Sequence, residues 1–333
     1  MEILHGHRNI TLDALKFIAI AMVITGHVFQ CCGLGKDYIF LNTFPINVFY
    51  IIELPLFMFI SGYVSHKSIL QCSFQKLVCR RTIQLIIPML IFALIVNIIN
   101  CYNVVDNCNF SKFIMGGVFS FRNSYWFIWS VFLCTIITFI SVRLFNNRFI
   151  GGLLITLLLV AFFFIYPIPY NLQIMFPFFF GGFLFHDYNI FEQIMKNKHF
   201  VSVLFIIIFL ICFSNYDGHS TFYFFNQMDV KALIVSYILA YAGGMSGLLL
   251  VYMLVETYSH SQIVKYIAKY GQYTLSIYLL QGLLMNYCVM KGIVFVNMLS
   301  YWAFSMISVF SLCVIAVILH KNHFIAKYIF GKS

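Results

Sequence analysis

The chain of 333 residues is 62% apolar and only 9% charged, with 40 Phe and 21 Tyr, whereas soluble globular chains run at roughly 45–50% apolar and about 25% charged. These figures exclude an ordinary water-soluble enzyme, a disordered segment, a collagen and a coiled coil, and they point to a chain embedded in a bilayer from end to end. The excess of Lys+Arg (20) over Asp+Glu (10) is scattered rather than gathered on one stripe, which reads as membrane topology and not as nucleic-acid binding.

Apolar runs place ten spans near residues 12–31, 46–65, 83–101, 124–142, 150–167, 171–186, 200–214, 232–254, 272–290 and 293–319. Lipid obliges each span to satisfy its own backbone hydrogen bonds, and continuous runs without strict alternation favour helices over a barrel. The expected fold is all-α and polytopic, a single transmembrane domain over residues 1–333 with no separate soluble domain. With the N-terminus inside, fifteen of the twenty basic residues fall on inner connections. Only Lys36, Lys112, Arg122, Lys231 and Lys291 fall outside. That bias places both termini in the cytoplasm. The first run follows Asp13 and Lys16, and its end, His27 to Cys32, lacks a small-residue cleavage pattern. It is expected to be a retained span. Pro167 and Pro169 mark a tight outer turn.

Ionisable groups inside a span are costly, so each is a functional candidate. On span one, LDALKFIAIAMVITGHV, Lys16 and His27 are eleven residues apart. At 100° per residue they share a face, about 16 Å apart along the axis. Asp13 can pair with Lys16. A cation at the inner surface and a deep imidazole suit a long anionic cofactor; snorkelling of Lys16 and a helix contact for His27 are the plainer account. Span two, ELPLFMFISGYVSHKS, carries Glu53, an acid that needs a partner, with Pro55 as a kink and Gly62 permitting close helix approach. Arg80 and Arg81 open span three. They read either as positive-inside flanks or as phosphate ligands. Trp126 and Trp129 open span four, as an interfacial belt or as a platform for a sugar ring. Tyr278 and Gln281 lie within span nine, where Gln281 can bond across helices. The ten cysteines form no CxxC pair and lack histidines at metal-finger spacing. They read as buried thiols, with Cys101 and Cys108 the one pair spaced for a bridge.

These five segments, in this order, resemble acyltransferase family 3, and among its members the polysaccharide O-acetyltransferases. LDALKFIA with His27 is similar to the family's LDxLRxxA followed by a deep His. PLFMFISGY is similar to PLFFFxSGY, RRTIQLIIP to the basic start of the next span, YWFIWSVF to the WFL motif, and TLSIYLLQ to TLxIYLxH/Q. FPFFFGGFLF at 176–185 adds a further likeness. The resemblance covers nearly the whole chain. It implies transfer of an acetyl group from cytoplasmic acetyl-CoA, with no metal, to a hydroxyl of a cell-surface or lipid-linked glycan. It implies a multi-pass protein of the bacterial inner membrane whose oligomeric state is open, a homo-oligomer included.

By the same resemblance His27 matches the essential His, and Lys16, Arg80 and Arg81 match the positions associated with the coenzyme. Glu53 is a second catalytic candidate, to orient the base or the acceptor, and Trp126, Trp129, Tyr278 and Gln281 are the candidates for binding the acceptor. Two positions depart from the pattern. Lys16 stands where an Arg is usual and lacks its bidentate fork, and Gln84 stands where a second Arg is usual. No SGNH-hydrolase domain of the kind some relatives use is expected, so the acceptor enters the membrane domain or a separate protein serves it. The rival reading is a transporter or flippase of lipid-linked sugars. It predicts matching broken helices in two halves, and no such symmetry is visible.

Overall fold

The computed structural model describes residues 9–32, 44–103, 110–163, 171–215, 230–295 and 297–331. Pro167, Pro169 and Cys108 lie outside them. The described residues form fourteen α-helices and no strand. In chain order these are α1 (Ile10–Cys31), α2 (Phe44–Gln71), α3 (Phe74–Arg81), α4 (Ile87–Asn103), α5 (Phe110–Asn123), α6 (Trp126–Leu144), α7 (Arg148–Phe163), α8 (Leu172–Asp187), α9 (Ile190–Lys196), α10 (Lys198–Ser214), α11 (Val230–Thr257), α12 (Gln262–Gly271), α13 (Thr274–Met290) and α14 (Met298–Lys321).

Five helical stretches are long and apolar enough to cross a membrane: α1, the continuous 74–102 stretch, α6, residues 237–257 of α11, and α14. The pair α9 and α10, bent by 101°, makes a sixth if taken as one span. The remaining sequence-derived spans correspond to α2, α7, α8, α10 and α13. Of these α7, α8, α10 and α13 have 16 or 17 residues, about 24–26 Å, against a hydrocarbon core near 30 Å. The third span begins earlier than its apolar run. Lys76, Arg80 and Arg81 interrupt the hydropathy at α3 but not the helix, which passes into α4 through a π turn at Thr82–Ile86.

α1 is the central element, packed against α2, α11, α12, α13 and α14. Asn9 caps it, its side chain accepting from the Leu12 amide at 3.0 Å, which satisfies one of the open N–H groups of the first turn. α2 runs through Pro55 and meets α8 along a close crossing. A Cβ on Gly62 would strike the Phe179 carbonyl, and one on Gly182 would strike the Phe59 carbonyl. The two glycines let the backbones touch reciprocally, as small residues do where lipid supplies no hydrophobic drive between helices. Interior hydroxyls bond back along their own helices, Thr25 to the Ala21 carbonyl at 2.9 Å and Thr135 to Val131 at 2.7 Å. Cys101 is disulfide-bonded.

Charged pairs collect at one end of the bundle. Glu256 of α11 accepts from Thr11 of α1. Asp187 of α8 bonds His66 of α2 at 3.0 Å and also pairs with Arg148 of α7. Arg143 of α6 donates to the carbonyls of Ile69 and Cys72, each at 3.2 Å. At the far end of α1, the Cys32 carbonyl accepts from the Tyr301 hydroxyl and the Phe295 amide.

Candidate active site

Lys16 and His27 share α1. Lys16 Nζ is 3.2 Å from Asp13 Oδ1, and its side chain keeps 27% of its surface open. His27 is half-buried. Its Nδ1 is hydrogen-bonded to the side-chain amide of Gln281 on α13. Gln281 is buried at 3% exposure, and its Oε1 has no hydrogen-bond partner among the described residues.

From Gln281 the contacts lead outward through aromatic rings. Tyr278, one turn earlier on α13, meets Tyr125 at 6.1 Å and Phe127 at 5.9 Å. Phe127 of α6 stands edge-on to Phe57 of α2 at 5.6 Å. Phe57 lies one turn beyond Glu53, so Glu53 is on the same face of α2. Glu53 is buried, and its Oε2 has no partner among the described residues. A chain of ring contacts thus runs from the His27–Gln281 pair on α1 and α13 through α6 to the face of α2 that carries Glu53. Tyr125 fixes the register of α6 on α13, donating to the Leu279 carbonyl at 3.2 Å and filling the space over Gly282.

The two tryptophans part company. Trp126 is half-buried beside Phe127. Trp129 donates its indole N–H to the Phe121 carbonyl at 3.1 Å and packs edge-on to the Phe121 ring at 5.2 Å. Trp129 therefore anchors α5, an element with no counterpart among the apolar runs.

At the charged end a cavity of about 290 Å³ opens between α2 and α3, lined by Lys67, Ser68, Gln71, Arg80, Arg81 and Gln84 among others. The Arg81 guanidinium is held in its wall. Nη2 donates to Ser65 Oγ at 2.7 Å and to Ser68 Oγ at 3.2 Å, and Nη1 reaches Gln84 Oε1 at 3.5 Å. Nε is buried with no partner among the described residues. Arg80 is exposed at the rim. Among the described residues three cations and no carboxylate line this space, an arrangement suited to a phosphorylated ligand. Ser65 is twelve residues along α2 from Glu53, about 18 Å, close to the Lys16–His27 separation on α1.

Lys67, Ser65 and Ser68 are additions that hydropathy does not single out. Their signal is the run SHKS at 65–68, polar residues toward the C-terminal end of an otherwise apolar helix. Gln84 serves as an acceptor for Arg81. Among the described residues no group of three or more His, Cys, Asp or Glu is placed to hold a metal ion.

Residues 9–318 match the model of the acyltransferase 3 family, described as an acyltransferase domain. Nodulation protein NolL of Mesorhizobium japonicum is 29% identical over 297 residues, covering 83% of this chain and 76% of that protein. Nodulation protein NolL of Sinorhizobium fredii is 27% identical over 298 residues, covering 83% and 78%. No solved structure matches. All-helical in its described residues and matched by the family model over nearly its whole length, the chain belongs to the acyltransferase 3 family.

Proposed function

We propose that this chain is an O-acyltransferase of the bacterial inner membrane that moves an acetyl group from cytoplasmic acetyl-CoA to a hydroxyl of a cell-surface or lipid-linked glycan. The observation that carries the reading is the pairing of His27 with Gln281 inside the bundle, and a basic cavity between α2 and α3 supports it as a place for the donor's phosphates. In this reading the chain crosses the membrane ten times with both termini in the cytoplasm. The gathering of Asp13, His66, Arg143, Arg148, Asp187 and Glu256 at one end supports that topology.

Arg81, Lys67 and Arg80 take the phosphates of the donor, and Lys16 adds positive charge from α1. Its thioester extends between α1 and α2 to His27. The glycan hydroxyl enters on the other side of the imidazole, with Trp126 stacking on the sugar ring. Glu53 and Tyr278 orient the acceptor, and Trp129 braces the wall through α5. A sugar hydroxyl is a poor nucleophile near neutral pH, so it needs a base. His27 Nε2 takes the hydroxyl proton as the oxygen attacks the thioester carbonyl carbon. The C–S bond then breaks, and the imidazolium returns the proton to the leaving thiolate. The products are an acetyl ester and free coenzyme A.

The test is transfer from radiolabelled acetyl-CoA in membrane vesicles that contain the host's glycolipids. His27→Ala should abolish transfer while leaving the protein folded in detergent. Full activity in that variant removes the reading.

A further inference from the structure

We infer that Gln281 is the positioning residue that fixes the tautomer of His27, with its amide oxygen, not its nitrogen, turned to the imidazole in the working enzyme. This rests on the acyl-transfer reading above. An imidazole with one nitrogen engaged by a neighbour offers only the other to a substrate. Here the engaged nitrogen is Nδ1, and its partner is the Gln281 amide. Proton abstraction therefore falls to Nε2, which must hold a lone pair. A neutral imidazole has one N–H, so that proton must sit on Nδ1, and Nδ1–H needs an acceptor. Gln281 is the group bonded there, and it can supply one only through Oε1.

A half-turn of the terminal amide exchanges Oε1 and Nε2 within the same volume. In the arrangement with Nε2 toward His27, Oε1 is a buried acceptor without a partner among the described residues. After the half-turn Oε1 receives the Nδ1 proton, and the amide N–H₂ becomes a buried donor open to a bound oxygen. The logic is that of a triad in which the third member holds the base in the useful tautomer without itself taking a proton. Position 281 is well placed for it. Gln281 is 3% exposed, so its amide is held away from bulk solvent at the imidazole. The Tyr125 contacts with Leu279 and Gly282 on either side lock the register of α13.

The experiment uses full-length protein in lipid nanodiscs, labelled with ¹⁵N-histidine. The His27 signals are assigned by their loss in His27→Asn. Wild type should show a protonated Nδ1 and an unprotonated Nε2. Gln281→Glu keeps an acceptor and should keep that tautomer. Gln281→Met, similar in volume but with no acceptor, should lose it. With radiolabelled acetyl-CoA in glycolipid-containing vesicles, Gln281→Met should lower kcat about 100-fold, the upper scale for losing a partner that orients a histidine, with KM for acetyl-CoA within about twofold of wild type. Gln281→Glu should recover most of the loss. A protonated Nε2 in wild type overturns the inference and needs no variant to fold. So does a Gln281→Met protein with wild-type tautomer and rate. Full transfer by His27→Ala would instead remove the acyl-transfer reading, whatever the tautomer.

Discussion

Arg81 is held in a way only a guanidinium allows. Its fork reaches two serines on α2 and a glutamine one turn onward, and a lysine at this position could not span them while leaving a donor for a ligand. Arg81→Lys should therefore raise KM for acetyl-CoA about tenfold, or about 1.4 kcal/mol, nearly as much as Arg81→Ala. Lys16→Ala should raise it less, because Lys16 is already paired with Asp13 and partly open to solvent, where screening weakens its pull on a phosphate. Initial rates over a range of acetyl-CoA concentrations measure both. An Arg81→Lys protein with unchanged KM would mean that the fork holds helices and not the donor. The candidate residues on single helices were legible in the sequence because charge and aromaticity stand out against an apolar background. Their partners were not. Ser65 and Arg81 meet across a turn between helices. His66 and Asp187 lie 121 positions apart, and neither carries a local signal for the other.

At the scale of elements, the reciprocal contact of Gly62 and Gly182 sets how closely α2 and α8 lie. α2 also carries Glu53 and the Arg81 ligands, so a shift there displaces both ends of the proposed path. Each glycine faces backbone rather than a movable side chain, so an added methyl cannot be absorbed by rotamer change. Gly182→Ala should cost about 1–3 kcal/mol, the range for overpacking. That would lower the thermal unfolding midpoint in detergent by several degrees, and a midpoint equal to wild type would contradict the close crossing. The long apolar helices could be read from hydropathy alone. Two others could not. α5 mixes exposed Phe110, Met115 and Phe119 with polar residues, and it packs on α4 through glycines that face Asn97. α12 buries Val264, Ala268 and Gly271 against α1 and exposes Ile263 and Tyr266. Both are amphipathic and too short to register as spans. The π turn at Thr82–Ile86 has no marker in TIQLI, yet it inserts an offset directly after the two arginines, where such turns often accompany function.

For the whole molecule, sidedness is the property on which the chemistry depends, because the donor is proposed to come from the cytoplasm. The network at one end of the bundle joins the late part of α2, the start of α7 and the end of α8 through His66, Arg148 and Asp187. It joins α1 to the end of α11 through Thr11 and Glu256. Those termini can share one end only if successive crossings alternate in direction. In the proposed topology that end faces the cytoplasm, as the distribution of basic residues favours. His260, exposed between α11 and α12, is then expected inside, and Lys291, exposed after α13, outside. In intact cells a membrane-impermeant maleimide should label Lys291→Cys, and it should label His260→Cys only after the membrane is permeabilised. The reverse pattern would put the basic cavity on the outer face, out of reach of cytoplasmic coenzyme, and would end the proposed donor route while leaving the family assignment untouched.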